Sequence, residues 1–289
     1  MKDFPILVVA AGPGSQPEED TQLQYMPLPG EMMTFALPVL NDEADPVLMA
    51  AACRVVAQLR DNMIATPLGS AAITMIELLD TDAEVVRLLN QTMGEGEVSI
   101  SVRGSGAYRI QETVFASVWR SHEHAADGRL IRDTIMACAI PPMVTLWAQD
   151  GVSLECTMPE KTAGMMNAPA VLAEILGKAK EYTPGTAAHV VNLTLLPMSP
   201  EDLDCLTRTL GVGAVTILSR GYGNCRITST QLPNVWWVQY FNSMDTLILN
   251  TIEISEVPEV AQASREDYED SIDRLGEWLQ VMREPEGLD

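Results

Sequence analysis

The sequence predicts an α+β protein that contains two copies of one αβαββββ unit, with mostly antiparallel sheets and an additional amphipathic helix at the C-terminus. Two observations lead to this prediction. Helix-capping residues alternate with short apolar runs bounded by glycine and proline, which is typical of mixed helices and strands. The same order of segments then occurs a second time, at an offset of about 117 residues.

The clearest sign of the duplication is a glycine-rich turn between two predicted strands. Residues 102–110 read Val-Arg-Gly-Ser-Gly-Ala-Tyr-Arg-Ile, and residues 219–227 read Ser-Arg-Gly-Tyr-Gly-Asn-Cys-Arg-Ile. An arginine flanks each side of Gly-x-Gly, and both glycines can take positive φ at no steric cost. Further identities between the copies are Gly96/Gly213, Thr113/Thr230, Trp119/Trp236 and Thr134/Thr251.

The first copy is predicted over residues 46–145. Asp45 can cap a helix that starts at Pro46 and ends before Thr66-Pro67. A strand over 73–79 leads to a Thr-x-x-Glu capping box at Thr81–Glu84, which opens a second helix. Four strands are predicted after it, at 97–102, 108–114, 115–122 and 130–138.

The second copy is predicted over residues 167–262 in the same order. A helix around 171–180 and a strand over 190–196 precede Ser199-Pro200-Glu201-Asp202, which supplies a cap, a proline and first-turn acids to the next helix. Four strands are again predicted, at 214–218, 225–230, 235–241 and 246–254. A linker over 146–166, free of helix around Leu146–Gly164, is predicted between the copies, and the helices of each copy are expected to cover one face of its sheet.

The two ends of the chain differ from the repeats. Residues 1–45 are rich in proline and glycine and predict an extended arm. Residues 263–289 predict an acidic helix and tail, with Ser264 as the cap. Its apolar stripe is Tyr268, Ile272, Leu275 and Leu279.

Composition excludes several classes of function. The 289-residue chain has 40 acidic and 18 basic residues, a net charge of −22, which argues against binding to nucleic acid or to an anionic membrane surface. Its five scattered cysteines fit reduced thiols, and no apolar run approaches the length of a membrane helix. We therefore expect a soluble, cytoplasmic protein without membrane insertion.

Motifs for catalysis are missing from the sequence. There is no nucleophile elbow or zinc-protease motif, and the Gly-x-Gly turns precede strands rather than the helix of a dinucleotide site. His122-Glu123-His124 could begin a metal site, but no further ligand is identifiable. The sequence predicts no enzyme, no cofactor, no metal site and no catalytic residue.

Cys225 leaves two interpretations open. It lies just past a turn between two arginines, whose charge would lower the pKa of its thiol and favour thiolate. Cysteine is also a common small core residue, and the first copy has Tyr108 at this position.

The residues that only the second copy has are the best candidates for a functional role, because the shared glycines and arginines are explained by the hairpin itself. Trp237 replaces Arg120 and should point away from Trp236, which we expect in the core like Trp119. Together with Arg220 and Arg226, the two arginines of the turn beside them, the predicted partner-binding residues are Tyr222, Asn224, Cys225, Trp237, Asn242, Ser243 and Asp245.

Several long motifs resemble one family. The stretches are 220–230, Arg-Gly-Tyr-Gly-Asn-Cys-Arg-Ile-Thr-Ser-Thr; 235–249, Val-Trp-Trp-Val-Gln-Tyr-Phe-Asn-Ser-Met-Asp-Thr-Leu-Ile-Leu; 256–261, Glu-Val-Pro-Glu-Val-Ala; and, near the start, 12–17, 25–29 and 33–35. They are similar to the HupH/HyaF/HoxQ family of hydrogenase expression/formation proteins, and the resemblance covers nearly the whole chain.

The resemblance implies an accessory protein, or chaperone, for maturation of an uptake nickel–iron hydrogenase. The implied partners are the precursor of the iron–sulfur small subunit, bound before assembly and export, and a thioredoxin-like hydrogenase accessory protein. No catalytic residues follow from it. The alternatives are a metal or iron–sulfur carrier or a thiol-dependent enzyme that uses Cys225, and a purely structural scaffold. Whether the chain forms a homodimer stays open.

Overall fold

The structure of the protein is a computed structural model that describes residues 45–70, 72–103, 107–160, 162–221 and 223–283. The predicted arm over 1–45 lies outside the described residues, except for its last position. The first copy contains α1 (Pro46–Ala65), β1 (Thr74–Glu77), α2 (Ala83–Met93), β2 (Val98–Arg103), β3 (Ala107–Glu112), β4 (Val118–His124) and β5 (Leu130–Ala137), and α3 (Pro142–Gln149) follows it.

The second copy repeats the first element by element. It contains α4 (Ala168–Glu181), β6 (His189–Asn192), α5 (Pro200–Leu210), β7 (Val215–Ser219), β8 (Asn224–Ser229), β9 (Val235–Phe241) and β10 (Leu247–Ile254), followed by a 3₁₀ turn (Glu259–Ala261) and α6 (Arg265–Arg283). Both copies have the predicted αβαββββ order, so the fold class is confirmed. The domain limits drawn from the sequence stay predictions.

The two copies share one antiparallel sheet. In the described part of the chain, ten strands pair in the order β1-β5-β4-β3-β2-β7-β8-β9-β10-β6. The central pair, β2 and β7, joins the copies, and Ile100 lies opposite Ile217, its own counterpart in the duplication. Equivalent residues that face each other on antiparallel strands define a pseudo-twofold axis normal to the sheet at this pair.

Local capping chemistry starts most of the helices. Ser199 and Asp202 form a complete capping box on α5, with Asp202 N donating to Ser199 Oγ (3.0 Å) and Ser199 N donating to Asp202 Oδ2 (3.0 Å). The equivalent exchange between Ser264 and Asp267 opens α6, as predicted. At α2 the prediction is wrong by one residue, because Asp82 rather than Thr81 is the cap and accepts from the Glu84 backbone N–H.

Asp202 also accepts hydrogen bonds at the start of α4, the other helix of the second copy. Its Oδ1 accepts the backbone N–H groups of Met166, Asn167 and Ala168 at 2.9, 3.0 and 2.9 Å, where α4 starts. Burial acts to raise the pKa of Asp202, but these donors and Ser199 outweigh it and lower the pKa to about 2. One carboxylate therefore satisfies the first turns of α4 and α5 together.

The sheet separates two layers of core. On one face, Val235 and Ile252 pack with α4 and α5, and in the first copy Asn90 of α2 accepts a hydrogen bond from Arg120 of β4 (2.9 Å). On the other face lie Trp119 and Trp236, which are fully buried as predicted. Each of these indoles donates to a backbone carbonyl, of Cys138 (2.9 Å) and of Ser255 (3.2 Å), at equivalent positions of the two copies.

Helix α3 corrects two expectations from the sequence. It covers part of the segment predicted to be free of helix, and it packs on the face opposite α4 and α5, so helices lie on both faces of the sheet. Val144 and Ala148 are buried against strands of both copies, and Trp147 contacts the ring of Tyr108 at 6.1 Å between centroids. The single connecting helix thus covers the pseudo-twofold axis.

The C-terminal helix α6 packs on α1. The Tyr268 hydroxyl donates to the Thr66 carbonyl (2.8 Å), and Arg60 Nε donates to the Ile272 carbonyl (3.2 Å). Tyr268, Leu275 and Leu279 are buried, as the predicted stripe requires. These contacts therefore join the two ends of the described chain, α1 and α6.

Candidate functional site

The two glycines of the turn between β7 and β8 differ in their backbone conformation. Gly223 has φ +100°, which favours glycine. Gly221 does not have the positive φ that the sequence suggested. The carboxylate of Glu97, from the first copy, lies where a Cβ at Gly221 would be, and this exposed side chain could move aside. Glu97 supports the turn across the central strand pair through its backbone, because Arg220 N donates to the Glu97 carbonyl (3.1 Å).

Five of the nine predicted site residues meet in one cleft beside this turn. The cleft has a volume of about 430 Å³ and is lined by Arg220, Asn224, Cys225, Arg226 and Asp245, with Leu218, Ser219 and Phe241. Four of the five are exposed, and the guanidinium of Arg226 lies over the Phe241 ring at 5.7 Å from its centroid. Phe241 and Leu218 are not among the predicted site residues, although strand alternation from Trp237 and Thr216 places them on this face.

Asn242 and Ser243 belong to the neighbouring turn between β9 and β10. The Asn242 side-chain oxygen accepts the backbone N–H groups of Met244 and Thr246, both at 2.9 Å, so this residue holds the turn together. Asp245 has φ +55°, where the first copy has Gly128 at φ +82°. Asn242 is thus accounted for by the turn itself, while Ser243 and Asp245 stay exposed.

Cys225 has a buried thiol. Its side chain is 4% exposed and packs with Ile227 and Trp236 in the core, on the face opposite Arg226, because side chains alternate along β8. Burial raises the pKa of the Cys225 thiol to about 11, although a hydrogen bond with Tyr240 acts to lower it. The expected lowering of this pKa by the flanking arginines is therefore wrong, since the thiol is buried on the face opposite Arg226 and burial raises its pKa.

Trp237 lies outside the cleft and points away from Trp236, as predicted. Its Nε1 donates to Asn250 Oδ1 at 2.5 Å. The equivalent positions of the first copy hold Arg120 and Asp133, a buried ion pair with 2.7 Å between Nη1 and Oδ1. Trp237 therefore has a structural partner within its own sheet. Tyr222, the remaining predicted residue, lies outside the described residues.

The described residues offer little for metal chemistry or membrane insertion. Within them, no three His, Cys, Asp or Glu side chains come together to hold an ion. His122 lies 3.5 Å from Asp133, and burial lowers its pKa. None of the helices in the described ranges is both long enough and apolar enough to cross a bilayer.

The chain is similar to proteins named for hydrogenase expression or formation. The C-terminal conserved region of the HupH hydrogenase expression protein matches it twice, over residues 49–153 and 165–282. Hydrogenase expression/formation protein HupH of Rhodobacter capsulatus is 43% identical over 285 residues, which cover 98% of this chain and 100% of the relative. The chain belongs to the HupH family of hydrogenase expression proteins.

Two further members show how far the likeness extends. Hydrogenase expression/formation protein HoxQ of Cupriavidus necator is 45% identical over 281 residues, with 96% of this chain and 98% of the relative covered. Hydrogenase-1 operon protein HyaF of Escherichia coli is 30% identical over 288 residues, with 94% and 95% covered. The two HupH-family matches each contain one half of the shared sheet, which supports the duplication.

Proposed function

We propose that this chain is an accessory protein for the maturation of a nickel–iron hydrogenase of the uptake type. In this role it acts as a chaperone that binds the iron–sulfur small subunit before assembly and export. The observation that carries the proposal is its membership, over nearly its full length, in a family whose relatives are named hydrogenase expression/formation proteins. A thioredoxin-like accessory protein is a further expected partner, and a cytoplasmic location follows from action before export.

The cleft beside the β7–β8 turn is the proposed contact site for the small subunit. It presents Arg220, Arg226 and Asp245, charges of both signs, beside the aromatic face of Phe241. Such a mixture can form directed hydrogen bonds and still bury apolar area in an interface. The overall charge of −22 additionally favours association with a basic segment such as an arginine-bearing export signal.

A carrier or enzyme that uses Cys225 has less physical support. With a pKa of about 11, the Cys225 thiol is overwhelmingly protonated at neutral pH, whereas metal binding and nucleophilic attack require thiolate. The thiol also lies in the core rather than in the solvent-exposed part of the cleft. We therefore assign Cys225 a packing role and propose no catalytic activity.

Capture of the precursor small subunit tests the proposal. The tagged full chain should co-purify with the precursor from cells that express the hydrogenase. Arg220→Ala and Asp245→Ala should each reduce capture by about tenfold or less, as expected for loss of one interfacial contact of about 1 kcal/mol. Arg129→Ala, an exposed arginine in the β4–β5 turn, is the matched control and should capture normally.

Two results would contradict different parts of the proposal. Absence of the precursor from the wild-type eluate would remove the chaperone role itself. Normal capture by both cleft variants would instead place the contact site elsewhere on the surface. Trp237→Ala is less informative, because it also removes the hydrogen bond to Asn250, and its stability must be measured first.

A further inference from the structure

A second groove lies on the face of the sheet that carries α4 and α5. It has a volume of about 560 Å³ and runs across β2, β7, β8 and β9, where Trp237 and Gln239 line it, to the C-terminal end of α5 at Gly211 and Val212. We name it the arginine groove and define it by Ser101, Arg103, Thr216, Leu218, Arg226 and Thr228. It adjoins the cleft of the proposed function and shares Leu218 and Arg226 with it.

The charge of the arginine groove is opposite to that of the chain. The chain has 40 acidic and 18 basic residues, yet the charged residues that line the groove are Arg103 and Arg226, with no carboxylate among the described lining residues. Neither guanidinium forms an ion pair with a carboxylate in the described ranges. Two exposed, unneutralised guanidinium groups make a local site of positive potential in a strongly acidic protein.

The strand register places a third arginine, Arg109, beside the arginine groove. Arg109 of β3 lies opposite Ser101 of β2, and Ser101 lies opposite Thr216 of β7. Side chains of directly opposed residues share a face, so Arg109 stands beside the groove on the same surface. Two carboxylates lie in the neighbouring region: Glu97 lies against Gly221, and Asp245 lines the adjoining cleft together with Arg226.

The floor of the groove is suited to a peptide rather than to a compact anion. Hydroxyl groups of Ser101, Thr216 and Thr228 alternate with apolar surface from Leu218, 42% exposed, and Val212, 63% exposed. The groove also meets the C-terminal end of α5, where backbone carbonyls of the last helical turn can accept peptide N–H groups.

The lining of the arginine groove is not repeated at the positions that the pseudo-twofold axis relates to it. At the positions equivalent to Val212 and Ser229, the first copy has Glu95 and Glu112. A groove built from the first copy would therefore contain carboxylates, and the acid-free lining is not a by-product of the duplication.

We propose that the arginine groove binds an extended, acidic and partly apolar segment of a partner protein. Arg103 and Arg226 pair with carboxylates of the segment, the strand hydroxyls bond its polar groups, and Leu218 and Val212 cover its apolar side chains. This surface is additional to the cleft proposed for the small subunit, and it does not depend on that assignment.

A peptide array tests the proposal directly. The probe is the full-length, fluorescently labelled chain, applied to ten-residue peptides that alternate leucine with Asp/Glu and to matched peptides with Asn/Gln. Because the chain carries a charge of −22, unspecific electrostatics would favour the uncharged peptides. We expect the wild type to prefer the acidic peptides at least tenfold, with the preference decreasing as salt is raised.

Matched variants assign the binding to the groove. Arg103→Glu should lower the preference for acidic peptides at least tenfold, whereas Arg129→Glu, with the same change of charge, should leave it within twofold. Circular dichroism of each variant checks folding, and Arg103→Gln serves where Arg103→Glu fails to fold. Indifference of the wild type to acid content, equal loss in Arg129→Glu, or displacement of the peptide by millimolar inorganic phosphate would overturn the proposal.

Discussion

At the residue scale, the duplication supplies an internal comparison for almost every side chain of interest. The Trp237–Asn250 hydrogen bond occupies the positions where the first copy has the Arg120–Asp133 ion pair. Both pairs join polar side chains of neighbouring strands, one by a hydrogen bond and the other by an ion pair, so each supports the sheet. Cys225 is buried in the core, whereas Arg220 and Arg226 of the turn are exposed. These two arginines are therefore the better candidates for contact with a partner.

Glu112 provides a test of the buried polar chemistry. It is 7% exposed, its Oε1 accepts from Ser117 N (3.1 Å), and burial raises its pKa from 4.5 to about 7. A raised carboxyl pKa adds stability that is fully present below pH 4.5 and is lost as the pH rises through about 7. Relative to the wild type, Glu112→Gln should therefore gain up to about 3 kcal/mol of unfolding free energy between acid and neutral pH.

Urea unfolding from acid to neutral pH measures this difference. The variant keeps an oxygen acceptor for Ser117, so the change isolates the ionisation of residue 112. A difference in unfolding free energy that stays constant with pH would show that Glu112 is ionised in the folded protein with an ordinary pKa.

What the sequence could and could not reveal about the site follows from the range of the interactions. The glycines, arginines and second-copy residues are local features, and most of them meet in the cleft. The role of Glu97 could not be predicted, because its contact with Gly221 exists only when the two copies pair through β2 and β7. Phe241 could have been found from strand alternation alone.

At the element scale, the helices with local side-chain caps were predictable, whereas α3, which begins without one, was missed. Ser199 and Ser264 open α5 and α6 through local hydrogen bonds that the sequence displays. Helix α3 begins after Pro141 with no side-chain cap, and it gains its stability from packing across the sheet. Tertiary contacts of this kind leave no local sequence signal.

Asp202 tests how one carboxylate stabilises two helices. Asp202→Ala leaves three backbone N–H groups at the start of α4 without their acceptor and breaks the capping box of α5. We expect a loss of about 2–4 kcal/mol of unfolding free energy. Asp204→Ala on the same helix removes an exposed pair with Arg208 and should cost less than about 1 kcal/mol.

Thermal or urea unfolding measures the loss of unfolding free energy in Asp202→Ala and in Asp204→Ala. Similar stability losses for Asp202→Ala and Asp204→Ala would show that the hydrogen bonds at the start of α4 contribute little. Such a result would leave the α4–α5 core as the main source of stability for the second copy.

At the scale of the whole molecule, the two copies act as one folded unit because they share a sheet. The core beneath α3 contains strands from both copies, including Ile100 and Ile217 at the pseudo-twofold axis. The sequence predicts the duplication but not this arrangement, since pairing of β2 with β7 is a contact between distant segments. If two chains exchanged their copies, β2 of one chain would pair with β7 of the other, and the sequence would be equally compatible with that arrangement.

A disulfide across the axis distinguishes these arrangements. Ser99 and Leu218 face each other on β2 and β7, and cross-strand pairs have Cα separations that a disulfide can span. Ser99→Cys with Leu218→Cys should form an intramolecular crosslink on mild oxidation. Ser99→Cys with Thr228→Cys, which lie on strands that are not neighbours, is the control. Crosslinked dimers in place of crosslinked monomers would indicate a swapped homodimer.

The most direct test of the proposed role is the state of the hydrogenase small subunit in cells that lack this protein. The account predicts that the precursor accumulates, that mature small subunit falls at least tenfold, and that the wild-type gene restores it. Restoration by Cys225→Ser to wild-type levels is expected as well, because that thiol is assigned to the core. Normal amounts of mature, active hydrogenase in the deletion strain would contradict the account.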